Sequence, residues 1–341
     1  MKIKDNRTYI IAEAGVNHNG DAKLAKQLVL AAKNAGADCV KFQTFKASQL
    51  VTKEAPKAKY QLKVTDEKES QFAMLKKLEL DFEVYRDLMN YCKELEIDFL
   101  STPYNVEDIN FLEKLDVTGY KVASGQLTEL PFLRALARKQ KTIILSTGMG
   151  TLANVSDAVE AIKGEGNEDL IVLQCTTNYP SKIEEANILA MQTIKDACDV
   201  RIGYSDHVTN NYACLAAVAL GAKIIEKHFT LDKEMDGPDH TCSLTPPEFK
   251  ELVDGIRNIE LALGSKLKKP AAIELENSIG MKRGMVIIKP IEKEEILTKE
   301  HIGFKRPLQG IPINMLDDII GKKVSKALGI DDMINYDCII W

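Results

Sequence analysis

The 341-residue chain has no apolar run approaching the roughly 18 residues that a membrane span needs. Its first eight residues are charged and polar and carry no apolar signal segment, so a cytoplasmic protein with no membrane partner is expected. It also lacks a basic excess. Lys and Arg number 45 against 50 Asp and Glu, a formal net charge of −5. No nucleic-acid footprint is therefore expected, and any anion site must be local. The seven cysteines are odd in number, scattered and without a CxxC pair. They read as reduced core thiols, not as a disulfide framework or a structural zinc site. A G-x-S-x-G elbow, a Walker lysine loop and a G-x-G-x-x-G fingerprint are all missing where they would count. There is no internal repeat and no low-complexity tract.

What is present is a long alternation. Short apolar runs at 9–13, 39–43, 99–102, 120–124, 142–147, 170–175, 201–205 and 223–229 read as strands. Amphipathic stretches at 22–35, 82–95, 106–115, 131–138, 153–162, 188–197, 212–220 and 247–263 read as helices between and after them. Eight β-α units predict a parallel sheet closed into an α/β (β/α)8 TIM barrel over residues 1–264. An open doubly wound sheet shares the local pattern and is the alternative. The Lys-rich segment 49–80 is a long insertion after the second strand, on the face where barrels place their sites. Around Leu267-Lys268-Lys269-Pro270 the pattern changes, and 265–280 reads as a linker. Residues 281–341 read as a small β-rich module, too thin in core to stand alone.

Barrel sites are built from the carboxyl ends of strands. Here those ends carry Glu13, Lys41 and Gln43, Thr102, Lys121 and Ser124, Thr177 and Tyr179, Ser205 and His207, and Glu226 and His228. Strand parity puts Cys39, Lys41 and Gln43 on one face and Val40 and Phe42 on the other, so Lys41 and Gln43 are expected inward at the mouth. By the same alternation Ile224, Glu226 and His228 share a face, and Lys227 is expected to snorkel to solvent. Two inward lysines need counter-charges. With the hydroxyls of Thr102, Ser124 and Ser205 they fit a phosphate or carboxylate ligand, and a set of internal lysine–carboxylate pairs is the alternative. His207 and His228, ending neighbouring strands, are a candidate pair for a divalent ion, though two histidines at unrelated spacing are more often structural.

Taken together, these stretches resemble the sialic acid synthase family over almost the whole chain. The resemblance lies in Ala12-Glu13-Ala14-Gly15-Val16-Asn17-His18-Asn19-Gly20, Val40-Lys41-Phe42-Gln43-Thr44-Phe45, Ser146-Thr147-Gly148-Met149 and Gly203-Tyr204-Ser205-Asp206-His207. It continues in Glu226-Lys227-His228-Phe229-Thr230-Leu231-Asp232, Gly237-Pro238-Asp239-His240 and Lys305-Arg306-Pro307. It implies a TIM barrel followed by an antifreeze-like (SAF) domain in a domain-swapped homodimer. The implied activity is the metal-dependent condensation of phosphoenolpyruvate with an N-acylmannosamine-type amino sugar, giving a nine-carbon sialic acid and phosphate. The implied cofactor is a divalent metal ion, Mn2+ or Mg2+, on His207 and His228. Lys41, Thr102, Lys121, Ser124, Thr177 and Ser205 would hold phosphoenolpyruvate. Glu13, Gln43, Tyr179 and Asp239 would line the sugar pocket, with Arg306 reaching from the partner chain's tail to the N-acyl group. Lys41 and Lys121 would stabilise the departing phosphate, and Glu13 or Glu226 a cation at the former enol carbon.

The chain departs from the family pattern in three places. Gln126 stands where relatives often have an acid, which removes a charge from the sugar pocket and admits a 2,4-diacetamido-2,4,6-trideoxy sugar, as in legionaminic or pseudaminic acid synthesis. Glu292-Lys293-Glu294-Glu295 lacks a usual glycine, so a turn without positive φ is expected. Leu308-Gln309 alters the loop after Arg306-Pro307. A Schiff-base aldolase, a non-enzymatic carbohydrate-binding protein and a condensing barrel that acts on a phosphorylated aldose are the rival functions.

Overall fold

The computed structural model describes residues 3, 7–66 and 68–341. Met1, Lys2, Lys4, Asp5 and Asn6 of the polar N-terminal stretch, and Glu67 of the insertion, lie outside the described residues. The chain divides into two compact units, Met1–Gly264 and Ser265–Trp341.

The first unit is a ring of eight parallel strands: β1 Tyr9–Gly15, β2 Cys39–Thr44, β3 Asp98–Pro103, β4 Gly119–Val122, β5 Thr142–Ser146, β6 Leu170–Cys175, β7 Arg201–Asp206 and β8 Ile224–His228. Their order is β3-β2-β1-β8-β7-β6-β5-β4, and β3 lies against β4, which closes a TIM-type barrel and excludes the open sheet. Period-two alternation sorts the side chains into two cores. Ile10, Ala12, Val40, Phe42, Tyr120, Val122, Ile143, Leu145 and Val172 face the helices and join the large outer core. Tyr9, Ile11, Cys39, Leu100, Ile144, Ile171, Leu173 and Ile224 form a separate apolar plug inside the barrel. Two residues further along the same inward rows stand Glu13, Lys41, Thr102, Ser146, Cys175 and Glu226. The barrel is therefore apolar at its base and polar at its carboxyl rim. Gly203 belongs to the tight inner packing, because a Cβ there would sit 2.6 Å from Leu173 Cδ2.

Local signals set the helix starts. In Pro246–Leu263, Thr245 N–H donates to the Glu248 carboxylate at 2.8 Å, and the two prolines occupy positions where their missing N–H groups cost nothing. Among the described residues no helix is long and apolar enough to cross a membrane.

Three expectations are corrected. Lys227 does not reach solvent; it is fully buried and paired with Asp206. The insertion is not an irregular loop, since it carries short helices at Ala47–Leu50, Gln61–Val64 and Gln71–Lys77. Glu294 takes φ of 68° despite having a side chain, so the glycine-free turn keeps the left-handed conformation.

The second unit pairs β9 Gly284–Ile287 with β10 Ile302–Lys305 in antiparallel register. Isolated bridges extend this pairing, and Met285, Ile287, Ile291, Leu297, Ile302 and Val324 are among the residues of its own core. Within the stretch 265–280, residues from 272 onward are helical, in Ala272–Met281.

Candidate active site

At the carboxyl ends of the barrel strands lies a cavity with about 990 Å³ of atom-free space, open mouth included. Twelve of the residues singled out in the sequence line it: Glu13, Lys41, Gln43, Thr102, Lys121, Ser124, Tyr179, Ser205, His207, Glu226, His228 and Asp239. They come from seven of the eight strand ends and the loop beyond β8, and only the barrel's closure brings them together.

Its floor is a buried charge cluster. Lys41 Nζ is 2.8 Å from Glu13 Oε2 and 3.7 Å from Glu226 Oε2, and it donates to Thr102 Oγ1 at 3.3 Å. Lys121 Nζ donates to Ser146 Oγ at 2.6 Å and lies 3.7 Å from Glu226 Oε1. Glu226 thus bridges two lysines and also accepts from Ser205 Oγ at 2.9 Å. Both ammonium groups are paired internally, as in the alternative drawn from the pattern, yet both also face a cavity ringed by hydroxyls.

The electrostatics follow from this geometry. Burial alone would push the Lys41 ammonium down, but the Glu13 and Glu226 carboxylates outweigh it and hold it above its ordinary value. Lys121 is lowered, because burial exceeds the pull of the more distant Glu226. Glu13 is raised by burial despite Lys41. Glu226 is lowered, because the two lysines overcome its burial. Burial, with the neighbouring Glu13 carboxylate, pushes Asp239 up to about 7.

At one side the His207 and His228 rings stand with centroids 5.3 Å apart, and Tyr179 packs on His207 at 4.0 Å. His207 Nδ1 lies 2.7 Å from the Thr176 carbonyl, which can only accept. Nδ1 therefore carries a proton, and Nε2 is the ring nitrogen left to bind a cation when the ring is neutral. Burial alone would lower the imidazole's proton affinity, but the Cys175 thiol and the Thr176 carbonyl hold it above its ordinary value. His228 Nδ1 is buried without a hydrogen-bond partner, and burial lowers its proton affinity. Two adjacent imidazoles, one of them with an orphaned nitrogen, are a donor set that suits a divalent cation. Among the described residues no group of three or more His, Cys, Asp or Glu has metal-binding spacing. A cation held there would take two nitrogens from these rings and have its other positions open to oxygen ligands.

Two expected residues of the barrel, Thr177 and Gln126, stand outside the lining. Thr177 does not line the cavity; its hydroxyl is buried and unpartnered, close to Gly148. A Cβ at position 148 would stand 2.1 Å from that hydroxyl and 2.8 Å from Ser124 Oγ, so glycine lets the two hydroxyls converge. Gln126 also stands behind the wall. Its Nε2 donates to the Tyr104 carbonyl at 3.2 Å, and the Tyr104 hydroxyl in turn reaches Gln43 Oε1 at 3.1 Å. Arg306 is exposed on the second unit, just after β10.

The lining also includes Ser146, Tyr104 and, from the insertion, Tyr60, Gln61 and Gln71. Ser146 ends β5 and Tyr104 follows β3, so both could have been found by position. The insertion residues carry no periodic signal.

Residues 28–268 match the NeuB family, and residues 282–340 match the SAF domain. The chain belongs to the NeuB family. This NeuB-family chain is 44% identical over 330 residues to an N,N'-diacetyllegionaminic acid synthase of Campylobacter jejuni, covering 96% of this chain and 99% of that one. It is 43% identical to the protein of the same name from Legionella pneumophila, covering 94% and 91% of the two chains. A crystal structure of an N-acetylneuraminic acid synthetase from Leptospira borgpetersenii superposes with a TM-score of 0.71 at 33% identity, over 80% of this chain and 90% of that one.

Proposed function

We propose that this chain joins phosphoenolpyruvate, a 2,4-diacetamido-2,4,6-trideoxyhexose and water to give a nine-carbon, legionaminic-acid-type sugar and phosphate. The observation that carries this reading is the convergence of Lys41 and Lys121 on one carboxylate, Glu226, in the cavity that also holds the imidazole pair. Greater identity to two diacetyllegionaminic acid synthases than to the neuraminic acid synthetase favours the diacetamido sugar over N-acetylmannosamine, the acceptor expected first from the sequence.

In this reading the phosphate and carboxylate of phosphoenolpyruvate displace Glu226 from part of its hold on the lysines. Lys121, Ser146, Ser124 and Ser205 offer donors to one anionic end, and Lys41 and Thr102 to the other. The terminal methylene carbon of phosphoenolpyruvate then bonds to the aldehyde carbon of the open-chain sugar, whose oxygen takes up a proton from an acidic group of the cluster, leaving the oxygen-bearing enol carbon as the one that loses electrons. The former enol carbon becomes electron-poor, and the freed carboxylates of Glu226 and Glu13 lie within the cluster to stabilise it. Water adds there and gives its proton to a carboxylate. The new hydroxyl becomes the product's carbonyl as the bond from that carbon to the bridging oxygen breaks, its proton goes to the departing phosphate, and phosphate leaves against the two ammonium groups. A Mn2+ or Mg2+ ion held by His207 and His228 would supply Lewis-acid polarisation of the sugar's carbonyl oxygen.

Phosphate release, measured with the diacetamido sugar and with N-acetylmannosamine, each with and without a chelator, tests this. Release with the diacetamido sugar that stops on chelation is expected. Release that needs no sugar, or none with either sugar, overturns it.

A further inference from the structure

The 49–80 insertion forms a wall unlike the rest of the cavity. The floor is charged, whereas the insertion presents aliphatic side chains, Leu50, Met74 and Leu75 among them, beside two carboxamides, Gln61 and Gln71. Met74 belongs to a small core of its own with Val16, Phe45 and Leu78, so this wall is packed and has a fixed shape. The Lys57 ammonium ties the segment together, donating to Thr65 Oγ1 at 3.0 Å, to the Asp66 carbonyl at 2.8 Å and to Glu69 at 3.4 Å. Gln61 is anchored as well: its Oε1 accepts from Ala58 N–H at 2.9 Å and from Gln71 Nε2 at 3.2 Å. Among the described residues Gln71 Oε1 accepts no hydrogen bond, and the Nε2 of each glutamine keeps a further N–H.

A carboxamide pair with a spare acceptor and spare donors matches an amide, which offers one N–H and one C=O. The aliphatic side chains next to it match a methyl group. A ring bearing only hydroxyls would leave that apolar wall uncovered. We propose that the insertion is an acyl-recognition subsite, in which Gln61 and Gln71 hydrogen-bond the second acetamido group of the acceptor sugar while Leu50, Met74 and Leu75 cover its methyl. This deepens the proposed function and rests on it for the identity of the sugar. Gln71 is the specificity-determining residue, because Gln61 is already committed to the backbone of its own segment.

The test uses the full-length protein and the variant Gln71→Leu, which keeps the side chain's bulk and removes its hydrogen bonds. Saturation-transfer NMR with 2,4-diacetamido-2,4,6-trideoxymannose and no phosphoenolpyruvate reads contact at each acetamido methyl separately. Strong transfer to the 4-acetamido methyl is expected in the wild type and a clear loss of it in Gln71→Leu. Transfer confined to the 2-acetamido methyl, or identical in both proteins, overturns the subsite. In the phosphate assay, the ratio of kcat/KM for the diacetamido sugar to that for N-acetylmannosamine should fall roughly tenfold in the variant, the size of one lost buried hydrogen-bonded pair. An unchanged ratio in an active enzyme sinks the subsite alone. Intact 4-acetamido contact without phosphate release sinks the reaction alone and supports the subsite.

Discussion

Asp206 and Lys227 face each other across the β7–β8 ladder, with Nζ 2.5 Å from Oδ2 and both side chains fully buried. Each immediately precedes a histidine of the cavity, so one ion pair on the outer face of the sheet fixes the two strand ends that aim His207 and His228 inward. Asp206 also accepts from the Tyr204 hydroxyl at 2.9 Å and Val208 N–H at 3.0 Å, and Lys227 donates to the Asn210 carbonyl at 3.0 Å. Removing one partner leaves the other charge buried alone. Lys227→Met should therefore cost about 3–5 kcal/mol in urea unfolding, and Asp206→Asn combined with Lys227→Met should cost less than the two single changes summed. A loss below about 1 kcal/mol in Lys227→Met would show that the pair does not hold these strands.

In the proposed reaction Glu226, which lies against both lysines, would compete with the incoming anion for them. Glu226→Gln should tighten phosphoenolpyruvate binding several-fold in calorimetric titration while lowering turnover, since the carboxylate is removed from the developing cation. Lys121→Met should do the reverse to binding, raising the dissociation constant by roughly 100-fold through loss of a buried charge-assisted contact. Weaker binding in Glu226→Gln would place the anion elsewhere.

His18 makes one definable contribution to the pH dependence of stability. It is fully buried, its Nδ1 accepts from Gly20 N–H at 3.0 Å, and burial lowers its pKa to about 4. The unfolded chain, with an ordinary histidine, takes up a proton near pH 6.5 and the native state does not. Stability is thus retained above about pH 6.5 and falls as the pH drops toward about 4, by on the order of 3 kcal/mol from this group. Urea unfolding across that range should show a shallower loss in His18→Asn than in the wild type. Parallel curves would remove His18 from the account.

The imidazole pair gives a fourth expectation. Mn2+ titration followed by electron paramagnetic resonance should show one bound ion per chain, lost in His207→Ala and in His228→Ala. Full binding in either variant would assign the ion to other ligands.

Much of this was legible in the sequence because strand alternation is a strict rule. Once Val40 and Phe42 read as helix-facing, Lys41 and Gln43 had to point into the barrel, and they do. The same rule set Lys227 outward, but outward on a barrel strand means under a helix, where Asp206 was waiting; a strand pattern carries no information about its cross-strand partner. Gln126 was placed at the sugar by its position in a motif, and the short helix Ser124–Gln126 turns it behind Tyr104 instead. The insertion was the least legible part. Its helices are of four to seven residues, too short for apolar periodicity to register, and they are held by tertiary contacts such as Lys57 with Glu69.

The most direct measurement is the mass spectrum of the product formed from phosphoenolpyruvate and the 2,4-diacetamido sugar, taken alongside the phosphate released. The account predicts one new species with the mass of the sugar plus pyruvate, formed in equal amount to phosphate. Free pyruvate beside unchanged sugar would contradict it.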